Sequence, residues 1–111
     1  MDYAIEIKFK ELVQKLEEKF GEGLDTQAII FLIGVQELGT GYQKFSKREK
    51  TELMHVAVCT LLMPYGFYKF TGRDQENWPH FELIKELPSL NESQQQHLIK
   101  EAILEYFSNQ I

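Results

Sequence analysis

The chain has 111 residues, of which 43% are hydrophobic and 26% charged, a balance typical of a globular domain rather than a disordered chain. We therefore expect a single domain over residues 1–111. The formal net charge is −5, and residues 74–111 carry seven acidic but only two basic side chains. Because nucleic-acid backbones are bound mainly by clustered Lys and Arg, this distribution argues against general nucleic-acid binding.

The sequence also bears on where the protein works. Its first residues mix charges into every turn and lack an apolar stretch followed by small residues, so we expect no secretory signal. Cys59 is the only cysteine and cannot form an internal disulfide, which fits a reducing compartment. No apolar segment reaches the roughly 20 residues needed to cross a bilayer. We therefore predict a cytoplasmic protein that does not insert into membranes.

Hydrophobic periodicity and helix-end signals predict four helices, at about residues 3–20, 26–38, 47–63 and 91–108. The first and the last are amphipathic, whereas the second is apolar on every side and is expected to be buried. It ends at Gly39, the usual left-handed residue after a helix. The third begins with a capping box, in which Ser46 and Glu49 each accept a hydrogen bond from the other's backbone amide, and Pro64 limits its length.

Residues 65–88 form an aromatic-rich insert between the third and fourth helices, and two structures fit this segment. Residues 67–71 and 81–87 can pair as a short β-hairpin across residues 72–77, or Pro79 can open a short helix. We favour the extended or hairpin form. The predicted fold class is therefore mainly all-α, with four helices and this insert.

The second and third helices are both apolar on almost every side, and two amphipathic helices provide little cover for them in so short a chain. Either the aromatic insert folds back over them or the same helices of a second subunit cover them. We therefore predict a homodimer, with the insert as the alternative cover. Because aromatic side chains are enriched in interface cores, the insert is also a candidate surface for a further protein partner.

One stripe of the third helix carries its most reactive side chains. Arg48, Glu52, His55 and Cys59 follow one another at spacings of four, three and four. Glu52 and His55 have the Glu-x-x-His spacing of di-iron bundles, but such sites need a second copy and two further glutamates, which this sequence does not supply. His55 and Cys59 are two of the side chains that zinc prefers, yet two ligands one turn apart are a weak signal. We therefore expect no metal.

Evidence for catalysis is also weak. Cys59 lies near the C-terminal end of its helix, where the helix dipole opposes formation of a thiolate. The sequence has no Gly-x-Ser-x-Gly motif, no glycine-rich phosphate loop and no dinucleotide fingerprint. We therefore expect no cofactor and no catalytic residues, and we favour a binding protein over an enzyme.

Basic side chains gather at the start of the third helix. Ser46, Lys47 and Arg48, with the free amides of the first turn, are a candidate anion-binding site. The alternative is that these side chains are solvated or pair with nearby acidic residues.

The insert and the third helix together supply the candidate surface for a ligand or a partner. Its predicted members are Glu52, His55, Cys59, Arg73, Asp74, Trp78 and His80. We expect Arg73 and Asp74 at the tip of the insert, held on the helices by its aromatic side chains. The preferred function is a protein-interaction or self-associating module. The alternative is a small-molecule-binding or metal-binding protein with a site between the third helix and the insert, which requires a concave pocket rather than an exposed apolar patch.

Overall fold

The computed structural model describes residues 3–41 and 43–108. In this part of the chain the elements, in order, are α1 (Tyr3–Phe20), α2 (Thr26–Leu38), α3 (Lys47–Leu62), β1 (Tyr68–Arg73), β2 (Pro79–Leu83) and α4 (Glu92–Ser108). A single 3-10 turn, Met63–Tyr65, follows α3. The mainly helical fold class with four helices and a hairpin is thus confirmed. The third helix ends one residue earlier than predicted, because the chain tightens into the turn that contains Pro64.

The chain divides into two compact units. One consists of the described residues of Met1–Gln27 and Ser89–Ile111, and contains α1 and α4. The other is Ala28–Pro88, which contains most of α2 together with α3 and the hairpin. The single domain over residues 1–111 remains a prediction.

In the first unit, α1 packs against α4. The buried side chains of the two helices are Phe9, Leu16, Ala102 and Ile103. The Lys100 ammonium lies 3.0 Å from a carboxylate oxygen of Glu6 and 5.4 Å from the centre of the Phe9 ring. Lys100 therefore joins α4 to α1 both by an ion pair and by a cation–π contact.

In the second unit, α2 and α3 come into close contact at Gly34 and Leu53. A Cβ atom at position 34 would overlap the backbone carbonyl group of Leu53, so the approach depends on glycine. Every residue from 28 to 35 is buried or half-buried. The prediction that the second helix is buried is therefore confirmed for this apolar stretch, as its composition requires.

The helix-end signals of this unit form as predicted. The Ser46 hydroxyl accepts from the Glu49 amide over 3.1 Å, and the Glu49 carboxylate accepts from the Ser46 amide over 2.8 Å. Gly39 has φ +82°, in the left-handed region, and its amide donates to the carbonyl oxygen of Val35. These contacts fix where α2 ends and α3 begins.

The two strands pair antiparallel, with Tyr68 opposite Leu83 and Phe70 opposite Phe81. Paired residues point to the same side of a sheet, so these four side chains share one face. The register shifts between Phe70 and Gly72, where a bulge interrupts the ladder. The hairpin prediction is confirmed, but its second strand is Pro79–Leu83 rather than 81–87. Proline, which has no amide hydrogen, takes the first position of that strand.

Candidate functional site

An open cleft of about 920 Å³ lies between α3 and the β-hairpin, within the second unit. The wall on α3 consists of Arg48, Glu49, Thr51, Glu52, His55 and Val56. The wall on the hairpin consists of Asp74, Glu76, Trp78, Pro79, His80 and Phe81. This α3–hairpin cleft brings together five members of the predicted surface: Glu52, His55, Asp74, Trp78 and His80. Two others, Cys59 and Arg73, do not line it.

The Asp74 carboxylate organises the hairpin wall. One of its oxygens accepts hydrogen bonds from the amides of Glu76, at 2.9 Å, and Trp78, at 3.0 Å. The other lies 2.8 Å from Nε2 of His80. The hydrogen bond from His80, together with the one from the Trp78 amide, lowers the pKa of Asp74 below its usual range. A single carboxylate thus orders the turn and fixes the His80 ring at the edge of the cleft.

Trp78 contributes to both the cleft and the core. Its half-buried side chain packs against the buried cluster of Val35, Leu38, Phe45 and Leu53, and it also lines the cleft. The ring therefore covers apolar side chains of α2 and α3, as the sequence suggested for the insert. It remains partly accessible to an occupant of the cleft.

Arg73 is held by backbone groups rather than presented at a free tip. Its guanidinium donates to the carbonyl oxygens of Glu37, at 2.7 Å, and Leu38, at 3.2 Å, and also to that of Asn77, at 2.9 Å. Two of these acceptors belong to the last turn of α2. Two of its hydrogen bonds thus go to the end of a helix and the third to the hairpin turn, and Arg73 does not line the cleft. Sequence reasoning did not anticipate these contacts.

The predicted stripe on α3 passes from solvent into the core. Arg48 Nε lies 3.4 Å from a carboxylate oxygen of Glu52, and both side chains are well exposed. The exposed His55 ring meets the ring of Tyr68 edge-on, with 6.4 Å between their centres. Cys59, one turn further, is fully buried. Residues that share a helical stripe therefore differ in accessibility. Both β1 and β2 pack against this helix.

Burial determines the chemistry of Cys59. Its sulfur lies 3.5 Å from Nε2 of His55, and loss of solvation raises the pKa of the thiol to about 11. The thiol is accordingly protonated at neutral pH. Since the thiolate is the reactive form, this environment favours an inert core residue over a nucleophile.

At the candidate anion site, the contacts of Ser46 and Glu49 are those of an ordinary helix cap. The Ser46 hydroxyl and the Glu49 carboxylate bond to each other's amides, and Arg48 pairs with Glu52. Lys47 is exposed and does not line the cleft. Over residues 3–41 and 43–108, no three side chains of His, Cys, Asp or Glu converge on a position suited to a metal ion.

Several cleft residues were absent from the predicted surface. Thr51 has a usable sequence signal, because it lies three residues after Arg48 and four before His55, on the same helical face. No local sequence pattern indicates that Glu76, Pro79 and Phe81 belong to the cleft, since their positions depend on the register and the turn of the hairpin. Next to the cleft on the same hairpin face, Phe70 is 44% exposed and Leu83 is 51% exposed.

No family model, curated protein or solved structure matches the chain. Among the helices of the described residues, none combines the length and the apolar character needed to span a bilayer.

Proposed function

We propose that this protein is an interaction module that binds a short segment of a partner protein in the α3–hairpin cleft. The observation that carries this proposal is the continuity between the cleft and an exposed apolar face. Phe81 lines the cleft, and its ring packs edge-on against that of Phe70, with 5.7 Å between the centres. Phe70 and Leu83, each about half exposed, extend this apolar face beyond the cleft.

The openness of the cleft favours a peptide over a small molecule. Small-molecule sites usually enclose most of the ligand surface and are lined mainly by apolar groups. Here Glu52, Asp74 and His80 line the walls and remain substantially exposed. An extended segment can place an apolar side chain on the Phe70–Phe81 face and polar side chains along the cleft, as interface cores and rims require.

A small polar ligand in the same cleft is the second candidate. It is favoured by the 2.8 Å contact between Asp74 and His80, which holds an imidazole in a fixed position beside other polar side chains. Such a ligand would depend on His80 and Asp74 and would not require Phe70. Phe70→Ala therefore separates the two candidates, because only peptide binding loses affinity in that variant.

Homodimerisation and a cytoplasmic location remain separate proposals. The apolar residues of α2 and α3 that suggest a dimer are largely buried within the single chain. A dimer therefore needs another apolar surface, for which the exposed Phe70 and Leu83 are candidates. Light scattering across the micromolar range measures this directly. The free, buried thiol of Cys59 fits a reducing compartment.

Peptide selection tests the proposed function. A display library of random twelve-residue peptides is selected on the immobilised protein, and enriched peptides are then titrated against two variants. Thr51→Trp places a large ring on the wall of the cleft, whereas Lys50→Trp places the same ring on the neighbouring exposed position outside it. We expect peptides that bind the wild type and Lys50→Trp but lose at least about tenfold in affinity, roughly 1.4 kcal/mol, for Thr51→Trp. Equal binding to both variants would show that the cleft is not the site.

A further inference from the structure

We infer that the segment bound in the α3–hairpin cleft is cationic and carries Lys or Arg beside a bulky apolar side chain. This inference deepens the proposed function and rests on it. Its basis is the combination, on one surface, of acidic walls, an accessible tryptophan and an exposed apolar face.

The walls of the cleft are more acidic than the unit that contains it. They hold four carboxylates and a single guanidinium, from Glu49, Glu52, Asp74, Glu76 and Arg48. The whole unit Ala28–Pro88 is balanced, with seven acidic and seven basic side chains. Its other six basic residues, Lys44, Lys47, Lys50, Lys69, Arg73 and Lys85, do not line the cleft. The negative charge is therefore local to the proposed binding surface.

Contacts within the protein leave much of this charge available. Arg48 offsets one carboxylate, that of Glu52. Asp74 is held by two amides and by His80, but a carboxylate has about four acceptor positions. An anionic segment would face several carboxylates and be repelled, whereas a cationic one gains electrostatic complementarity.

Aromatic side chains supply the second part of the recognition. Trp78 lines the hairpin wall with Asp74 and Glu76, so a Lys or Arg side chain entering there meets both an aromatic ring and carboxylates. Phe70 and Leu83 lie on the same hairpin face as Phe81 and can receive a neighbouring apolar side chain. A basic residue next to a bulky apolar residue matches this order of surfaces.

The experiment begins with the composition of peptides selected from an unbiased random library. We expect enrichment of Lys or Arg together with Leu, Phe or Trp. The most enriched peptide is then fluorescently labelled and titrated by anisotropy against Glu52→Gln/Glu76→Gln. Loss of two exposed charge pairs should weaken binding by about fivefold or more. Glu86→Gln, an exposed position outside the cleft, should bind within about twofold of wild type. Affinity should also fall between 50 and 200 mM salt.

Thr51→Trp and Lys50→Trp separate failure of this inference from failure of the proposed function. One contrary outcome is a set of peptides that are sensitive to Thr51→Trp but are neutral or acidic. Another is a set of such peptides that bind Glu52→Gln/Glu76→Gln as well as they bind the wild type. Either outcome would contradict the inference of a cationic segment and would leave the proposal of a peptide-binding cleft standing. A selection that yields no peptide distinguishing Thr51→Trp from Lys50→Trp would overturn both. Circular dichroism melts of each variant establish that the binding changes do not come from unfolding.

Discussion

The guanidinium of Arg73 on β1 donates a hydrogen bond to the carbonyl oxygen of Leu38, the last residue of α2, over 3.2 Å. The last carbonyl groups of a helix have no partners inside the helix. α2 also has no basic side chain in its own last turn, where a positive charge is favourable. The hairpin therefore supplies both the donors and the charge that the end of α2 lacks.

Removal of this contact should destabilise the protein. We expect Arg73→Ala to lower the free energy of unfolding by about 1 to 2 kcal/mol, because charged donors are lost from helix-end carbonyls. Arg73→Lys should keep only part of the stability that is lost in Arg73→Ala, since an ammonium group cannot reproduce the planar, forked set of donors of a guanidinium. Urea denaturation followed by circular dichroism measures both.

Arg48→Ala is the matched control, because its side chain is 90% exposed and its ion pair with Glu52 lies on the surface. Arg48→Ala should change the free energy of unfolding by no more than about 0.5 kcal/mol. If Arg73→Ala were as stable as Arg48→Ala, Arg73 would not be the link between the hairpin and α2.

Asp74 should make the hairpin sensitive to acid. Its pKa is lower in the folded protein than its ordinary value of 3.8, chiefly because of the hydrogen bond from His80 and then that from the Trp78 amide. The unfolded chain therefore binds a proton more readily than the folded one, so protonation favours unfolding. The stability that Asp74 contributes should be present at pH values above its ordinary pKa. It should be lost as the pH falls through the lower pKa of the folded protein.

Comparison with Asp74→Asn isolates this carboxylate. The stability difference between wild type and Asp74→Asn should be largest at pH 5 and above, and should shrink progressively below pH 4. Thermal melts in a series of buffers from about pH 7 to pH 2.5 provide the measurement. A difference that stayed constant over that series would argue against an ionised Asp74 as the organiser of the turn.

Local sequence signals predicted the helices well. The capping box of Ser46 and Glu49 and the left-handed Gly39 are determined by contacts within a few residues, so their outcome does not depend on the rest of the fold. The two apolar helices were likewise recognised, because a helix that is buried on most sides carries apolar residues on most sides, which is visible in its sequence.

Contacts between distant parts of the chain could not be read in the same way. Arg73 binds Leu38 across 35 positions, and nothing in the local pattern of either residue indicates the other. The α3–hairpin cleft depends on which face of the hairpin meets α3 and on a register that shifts at Gly72. A shift of one residue moves every side chain of a strand to the opposite face of the sheet. The sequence therefore predicted that Glu52 and His80 belong to one surface, but it did not predict which other hairpin residues line the cleft.

Gly34 tests the close contact of α2 and α3. An added Cβ would overlap the carbonyl group of Leu53, and backbone atoms cannot rotate away as a flexible side chain can. We expect Gly34→Ala to destabilise the protein by about 1 to 3 kcal/mol despite the higher helix propensity of alanine, because overpacking outweighs propensity. Chemical denaturation measures this, and Gln27→Ala, at an exposed position of the same helix, is the control. A stabilised Gly34→Ala would mean that the helices are less tightly packed there.

Cys59 should be protected from alkylation in the folded protein. Its side chain is fully buried, and burial raises the pKa of the thiol to about 11, so both access and thiolate formation are suppressed. We expect iodoacetamide at pH 7.5 to modify native protein at least on the order of a hundredfold more slowly than protein in denaturant, since the thiolate fraction falls about tenfold per unit of pKa. Intact mass measured over time gives the two rates.

His55→Ala distinguishes a buried core thiol from one activated by its neighbour 3.5 Å away. Removal of the His55 ring can only uncover the sulfur, so the native labelling rate should not fall in this variant, whereas an activated cysteine would lose reactivity with its base. The raised pKa also gives a stability test. As the pH rises above the ordinary value of 9.0, the unfolded state loses its thiol proton before the folded state does, so wild type should lose stability relative to Cys59→Ala. Rapid labelling of native protein at pH 7.5 that disappears in His55→Ala would instead establish a reactive Cys59–His55 pair.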